Sequence, residues 1–210
     1  SEFNVTTGFC PLGKVKDMYK YILEQAQRGV QSYLVCPRVD DEEDGDADGT
    51  YSAKTLYKEL QKTGLKDIGL GLLHGKMKET EKASIMSSFA DGEIKVLVTT
   101  TVIEVGIDVE AANIIAIFNA DRFGLSQLHQ LRGRVGRGTE KGFAFLVTAS
   151  QNPEALERLK ILRDNNNGFE LSEYDLEMRG AGDFIGMRQH GVAGALQNLK
   201  LSKEIIALSR

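Results

Sequence analysis

Several short runs of this chain are apolar at every position, and they alternate with stretches whose apolar residues recur at helical spacing. A strand that is apolar at consecutive positions buries both faces, as strands do in a parallel sheet covered by helices. The predicted strands span residues 32–36, 68–73, 94–99, 114–118 and 143–147, and the predicted helices span residues 14–28, 52–62 and 78–90. The alternation predicts an α/β fold with a mostly parallel sheet covered by helices.

The pattern changes after residue 150. Residues 153–164 have helical periodicity, an asparagine-rich turn follows at 165–168, and no further strand is indicated. We therefore expect two parts, a lobe over residues 1–150 and a helical segment with a C-terminal tail over residues 151–210.

Acidic residues are concentrated in one segment. The chain has 30 acidic and 26 basic residues, and seven of the acids stand between positions 40 and 48. The rest of the chain is therefore mildly basic, and the acidic run is typical of a solvated loop. No run of eighteen apolar residues and no basic-then-apolar leader is present, so we expect neither a transmembrane helix nor a signal peptide. Two widely spaced cysteines, Cys10 and Cys36, favour a reducing compartment such as the cytoplasm.

The most specific pattern is a cluster of arginines and glycines between residues 127 and 138. Arg132, Arg134 and Arg137 carry planar, permanently charged groups that match phosphate oxygens, and the intervening glycines allow close approach of the backbone. The alternative interpretation is a solvated basic turn. The spacing from Gln130 to Arg137 resembles motif VI of superfamily-two helicases, and this resemblance favours the phosphate contact.

A second pattern lies upstream, where a predicted buried strand ends in Thr99 and Thr100 and is followed by Gly106 and Asp108. Ligands of open α/β sheets bind beyond the carboxyl ends of strands, so the hydroxyls could hold a phosphate and the carboxylate a ribose hydroxyl. A strand-end turn is the alternative. The stretch resembles motif V of the same superfamily, and His74 lies in a segment that resembles its His-Gly element.

Longer stretches are similar to the RecG family of DNA helicases. Residues 100–109 and 121–138 match that family nearly residue for residue, and residues 168–191 are similar to its TRG segment, a helical hairpin and loop. The resemblance implies a RecA-like second motor lobe followed by a small helical hairpin and loop. Glu110 stands where a proline is expected, and His190 stands where Ser or Thr is usual.

The resemblance also implies roles for individual residues. The implied catalytic residues are Arg134 and Arg137, which would reach the γ-phosphate of ATP, and Gln130, which would sense or position at the same cleft. Gly106 and Asp108 would contact the nucleotide together with the two arginines. The residues implied to contact DNA or to couple the motor to it are Thr99, Thr100, His74, Arg179, Arg188 and Gln189. ATP and Mg²⁺ would be held mainly by a first RecA-like lobe outside these 210 residues, and no metal site is expected here.

Two short patterns together imitate a complete ATPase. Residues 8–14 match a Walker A skeleton, but Val15 replaces the hydroxyl residue that Mg²⁺ requires after the lysine. No buried strand is expected before this segment, and residues 41–44 imitate an acidic Walker B box without the hydrophobic strand that such a box follows. We therefore interpret both matches as coincidence.

As a whole, the resemblance implies a monomeric, ATP-dependent helicase that acts on branched DNA, such as stalled replication forks and Holliday junctions, in recombination and repair. The implied partners are branched DNA and the first lobe of the same polypeptide, with no membrane. The expected location is the cytoplasm, or a DNA-containing organelle in a eukaryote. Two alternatives stay open, namely the equivalent lobe of a transcription-repair coupling translocase and a non-enzymatic DNA-binding or docking module.

Overall fold

Six parallel strands form one sheet in the computed structural model, which describes residues 4–41, 49–100, 109–138 and 140–165. The strand order is β1-β6-β5-β2-β4-β3, and every neighbouring pair is parallel. The strands are β1 (Val5–Cys10), β2 (Gln31–Cys36), β3 (Leu70–Leu73), β4 (Val96–Thr100), β5 (Ala112–Phe118) and β6 (Gly142–Val147). The prediction of an α/β fold with a parallel sheet is confirmed.

Helices cover both faces of the sheet, which explains the continuous apolar runs. The helices are α1 (Val15–Gln27), α2 (Ala53–Leu60), α3 (Leu65–Gly69), α4 (Glu79–Ala90), α5 (Leu125–Arg132) and α6 (Pro153–Asp164). Val96 and Val98 of β4 lie in one core with α1, α2 and α3, while Leu97 lies in the opposite core with α4, α5 and α6. The strands with buried side chains on both faces include β2, β4, β5 and β6. Burying each large apolar side chain contributes roughly 1.5–3 kcal/mol.

The first strand was not predicted. Residues 5–10 include two threonines and a glycine, so the stretch lacks the continuous apolar run of the other strands. The expectation that no buried strand precedes residues 8–14 is therefore wrong, because β1 begins at Val5 and pairs with β6. Gly8 nevertheless lies inside that strand, in register with Phe145. A residue in a strand ladder cannot form a phosphate-binding loop, so the Walker A match remains a coincidence.

Helix α6 packs in the core of the lobe. The Asn152 side chain caps it, since Asn152 Oδ1 accepts hydrogen bonds from the backbone N–H groups of Glu154 at 2.9 Å and Ala155 at 3.2 Å. Leu159 and Leu162 are fully buried in the same core as α5. The boundary near residue 150 stays a prediction, although α6, which lies beyond it, shares the core of the preceding residues.

The residues predicted to form the TRG segment, including Arg179, Arg188 and Gln189, lie outside the described residues, as do Gly106 and Asp108. No helix in the described ranges is long and apolar enough to cross a membrane. Cys10 and Cys36 are buried free thiols, and burial raises the pKa of Cys10 to about 12.

Candidate nucleotide and nucleic-acid interfaces

Helix α5 positions the arginine segment. The Gln127 side chain accepts a hydrogen bond from the Gly124 backbone N–H at 3.0 Å and so closes the first turn of the helix. Leu128 and Leu131 are buried against the sheet, which fixes the rotation of α5 about its axis. Gln130 then lies on the exposed side of the helix.

The segment that follows α5 lies at the amino edge of the sheet. Gly136 has a φ of 71°, and a Cβ atom at this position would lie 2.7 Å from the Asn4 carbonyl oxygen. A Cβ on Gly138 would lie 3.4 Å from the Glu110 side chain, just before β5. Because Asn4 immediately precedes β1, the segment 133–138 runs along the amino ends of β1, β6 and β5.

Arg134 and Arg137 lie on the outside of this segment. Arg134 is half-buried and Arg137 is exposed. The Arg137 Nε atom donates to the Gly133 carbonyl oxygen at 2.7 Å, which orients its guanidinium along the loop. Two permanently charged groups on a fixed backbone suit the recognition of a polyphosphate. Their predicted contact with the γ-phosphate stays a prediction.

Arg132 has a different environment, which the sequence interpretation missed. It is 1 % exposed, and its guanidinium donates to the carbonyl oxygens of Leu162 and Asn165, the latter at 2.6 Å. A weaker contact of 3.4 Å joins it to the Thr7 hydroxyl. Burial lowers the pKa of Arg132 to about 10, so the group stays protonated at neutral pH. Arg132 therefore ties the end of α5 to the end of α6.

A signal for the burial of Arg132 was present in the sequence. Arg132 stands four residues after Leu128, so both side chains fall on the same face of α5. A residue at i+4 from a core leucine shares its burial unless the helix ends earlier. The arginine cluster therefore contains one structural residue and two surface residues.

The other predicted residues lie at the opposite, carboxyl edge of the sheet. Thr99 is in register with Val35 and Leu73, and Thr100 is in register with Cys36. Both threonines are almost completely buried, and the Thr99 hydroxyl donates to the Thr100 carbonyl oxygen at 3.3 Å. Their predicted phosphate contact stays a prediction, since the residues that directly follow lie outside the described ranges.

His74 follows the end of β3 at the same edge. Its Nδ1 atom accepts a hydrogen bond from the Lys76 backbone N–H at 3.2 Å, which assigns the ring proton to Nε2. The His74 residue is 7 % exposed, and burial, followed by the nearby Lys54 charge, lowers the pKa of its imidazole. His74 is therefore neutral at neutral pH, and its bond to Lys76 stabilises the turn that follows β3. The predicted role of His74 toward DNA stays a prediction.

Residues 13–139 match the family described as "Helicase conserved C-terminal domain". The match covers more than half of the chain, so this protein belongs to the helicase C-terminal domain family. The chain is 44 % identical over 190 residues to the ATP-dependent DNA helicase RecG of Thermotoga maritima, and 40 % identical over 194 residues to that of Synechocystis. It covers 24 % and 23 % of those two proteins, while the matched regions comprise 90 % and 92 % of this chain.

Solved structures agree with this assignment. The structure of RecG bound to a three-way DNA junction matches 96 % of the chain and is covered over 26 % of its own length, at 40 % sequence identity and a TM-score of 0.67. The Mycobacterium smegmatis helicase Lhr matches at 15 % identity and a TM-score of 0.55, with 77 % of this chain and 21 % of that chain covered, which shows the fold alone. The predicted RecA-like second helicase lobe and its resemblance to RecG are confirmed.

Proposed function

We propose that this chain is the second motor lobe of an ATP-dependent helicase that remodels branched DNA. The main support is the position of residues 133–138 at the amino edge of the sheet, where Arg134 and Arg137 lie on a backbone that packs closely at Gly136. The similarity to RecG proteins named as ATP-dependent DNA helicases supports the same assignment. Since the chain spans about a quarter of those relatives, the activity belongs to the full-length protein.

In this proposal the nucleotide lies between the amino edge of this lobe and a first motor lobe of the same polypeptide. The guanidinium groups of Arg134 and Arg137 fit the charge of a triphosphate, and Gln130 lies on the adjacent exposed face of α5. Positive charge directed at a transferring phosphoryl group stabilises its transition state and contributes on the order of 10³–10⁵ in rate. Gly106 and Asp108 would contact the same nucleotide.

Mg²⁺ is proposed to bind in the first lobe. Within the described residues no group of three His, Cys, Asp or Glu side chains is placed to hold a metal ion. In this proposal the lobe supplies cationic side chains and the first lobe supplies the metal ligands.

The carboxyl edge is proposed to face DNA. Thr99, Thr100 and His74 lie there, on the side of the sheet away from the arginine segment. Nucleotide and DNA would thus contact opposite edges of one rigid sheet, so that closure around ATP moves the DNA-facing edge as a unit. Arg179, Arg188 and Gln189 would carry that motion to the duplex. Contacts to backbone phosphates do not read sequence, which favours recognition of branch shape. We place this activity in the cytoplasm or another DNA-containing compartment.

The test compares two DNA substrates with the full-length protein. We expect ATP-dependent unwinding of a three-way junction, and much slower unwinding of a linear duplex of the same sequence. The 210-residue chain alone should not hydrolyse ATP. Its one Walker A match, residues 8–14, begins inside strand β1 and therefore cannot form a phosphate-binding loop. Equal unwinding rates on both substrates, or unwinding without ATP, would contradict the proposal. Robust ATP hydrolysis by the 210-residue chain alone would show that residues 8–14 bind nucleotide.

A further inference from the structure

An aspartate bridges two lysines at the carboxyl edge of the sheet. The Asp40 Oδ1 atom lies 3.0 Å from the Lys54 Nζ atom, and its Oδ2 atom lies 2.9 Å from the Lys76 Nζ atom. The two lysines come from separate elements, one from the first turn of α2 and the other from the turn after β3. The carboxylate therefore occupies the point at which two cationic side chains converge.

This cluster lies beside the proposed DNA-facing residues. Lys76 follows the end of β3 by three residues, and its backbone N–H is bonded to His74. Lys54 follows Ser52, which pairs with Arg38 just beyond the end of β2. Both β2 and β3 flank β4, the strand that ends in the two threonines. The lysine pair is therefore part of the same edge.

A second acid keeps this segment against α2. The Asp41 Oδ2 atom accepts a hydrogen bond from the Thr55 hydroxyl at 2.6 Å. The sequence continues with five more acids within the run that ends at residue 48, although residues 42–48 lie outside the described ranges. Asp40 and Asp41 are the part of the acidic run whose contacts are described.

The contacts of Asp40 are accessible to solvent and therefore exchangeable. Its side chain is 41 % exposed, and those of Lys54 and Lys76 are 44 % and 68 % exposed. The two lysine hydrogen bonds lower the pKa of the Asp40 carboxyl group, so it is an anion at neutral pH. Ion pairs between exposed side chains contribute little to folding, so another anion can replace the carboxylate at little cost.

A backbone phosphodiester resembles the Asp40 carboxylate in charge, although its centre is tetrahedral and that of the carboxylate is planar. It presents two anionic oxygens from one centre, as the carboxylate does, and lysine ammonium groups bind phosphate as point charges. We propose that Lys54 and Lys76 bind a DNA backbone phosphate and that Asp40 occupies this position as an internal competitor when DNA is absent. The inference rests on the proposed function, since it assigns this edge to DNA, and it adds two binding residues and one opposing residue.

The experiment measures binding of a fluorescent three-way DNA junction by the full-length protein over a range of salt concentrations. Lys54→Ala and Lys76→Ala should each weaken binding about threefold to tenfold, and each should reduce the slope of log affinity against log salt by about 1. Asp40→Asn should strengthen binding about threefold to tenfold at low salt, and the gain should shrink as salt screens the charge.

Matched controls come from the opposite edge of the sheet. Lys66 and Asp67 are exposed residues of α3, just before the amino end of β3, and Lys66→Ala and Asp67→Asn should leave the affinity and the salt slope unchanged. The thermal unfolding midpoint of each variant verifies that it is folded, which we expect because all the substituted side chains are partly or largely exposed.

The outcomes separate this inference from the proposed function. If the unsubstituted protein binds the junction but the lysine variants behave like Lys66→Ala, the phosphate site is refuted while the motor assignment stands. Unchanged or weaker binding by Asp40→Asn would mean that the carboxylate only orders the lysines, and it would overturn the competitor role. Failure of the unsubstituted protein to bind any DNA would remove both proposals together.

Discussion

Arg132 and Arg134 stand two residues apart in one glycine-rich segment, yet their environments differ sharply. Arg132 is buried at the end of α5, where it donates to carbonyl groups at the end of α6. Arg134 is half-buried on the segment that runs along the amino edge of the sheet. The comparison shows that the backbone decides which arginine is buried in the fold and which is partly accessible, because the helix ends between the two residues.

The largest expected effect is a loss of ATP hydrolysis, which should distinguish Arg134 from Arg132. Arg134→Ala in the full-length protein should reduce DNA-stimulated ATP hydrolysis on the order of 10³-fold, because a cation directed at the γ-phosphate is lost. Steady-state turnover with saturating DNA measures this loss. The control is Arg28→Ala, which removes an exposed arginine at the position directly after α1. Turnover within twofold of the unsubstituted protein would refute the nucleotide role of Arg134.

Arg132→Leu should act through stability. Its two carbonyl partners would lose a charged donor inside the core, which should lower the free energy of unfolding by about 2–4 kcal/mol. Urea denaturation measures this loss. The matched change Arg137→Leu affects an exposed side chain and should cost no more than about 0.5 kcal/mol. Equal losses in both variants would contradict the distinction between a buried tie and a surface group.

Gly136→Ala tests the backbone that presents the surface arginines. A methyl group there would meet the Val5 side chain at 2.6 Å and the Asn4 carbonyl oxygen at 2.7 Å, in a backbone conformation that L-residues rarely adopt. We expect a loss of about 1–3 kcal/mol in unfolding free energy, together with reduced ATP turnover in the full-length protein. Gly13→Ala, where nothing lies within 4 Å, is the control and should be neutral. Full stability of Gly136→Ala would show that the segment lies elsewhere.

The smallest effect concerns pH. Burial lowers the pKa of His74, and burial followed by Arg132 lowers that of His129, both from an ordinary value near 6.5. The two histidines then bind protons more readily in the unfolded chain than in the folded one. The stability that the neutral histidines contribute is therefore present above pH 6.5 and is lost as the pH falls below it. The unfolding midpoint should therefore decrease on acidification, and His74→Gln should reduce that decrease. A midpoint that rises on acidification would contradict the burial of these rings.

Much of the fold could be predicted from the sequence because the sheet is buried on both faces. Apolar residues at consecutive positions in β2, β4, β5 and β6 require that arrangement, and the helices between them show their own periodicity. β1 was missed because its threonines and glycine interrupt the apolar pattern, while pairing with β6 stabilises the strand regardless of that pattern. Short-range sequence patterns do not report such long-range pairing.

The sequence predicted which residues form the candidate site, and that prediction is still to be tested. Spacing and resemblance identified Arg134, Arg137 and the threonines, but they did not show that the arginines and the threonines lie at opposite edges. That arrangement depends on the path of the chain after α5 along the amino edge of the sheet, where Gly136 packs closely against Asn4. The Asp40 bridge joins residues 14 and 36 positions apart, which no local pattern reveals.

Arg134 is proposed to complete a nucleotide site whose other half lies in a different lobe. The most direct measurement is an experimental structure of the full-length protein with a non-hydrolysable ATP analogue and a three-way DNA junction. We expect the Arg134 guanidinium to lie within hydrogen-bond distance of the γ-phosphate, at the amino edge of this sheet. A structure in which that guanidinium points to solvent or to DNA, with the nucleotide elsewhere, would contradict it.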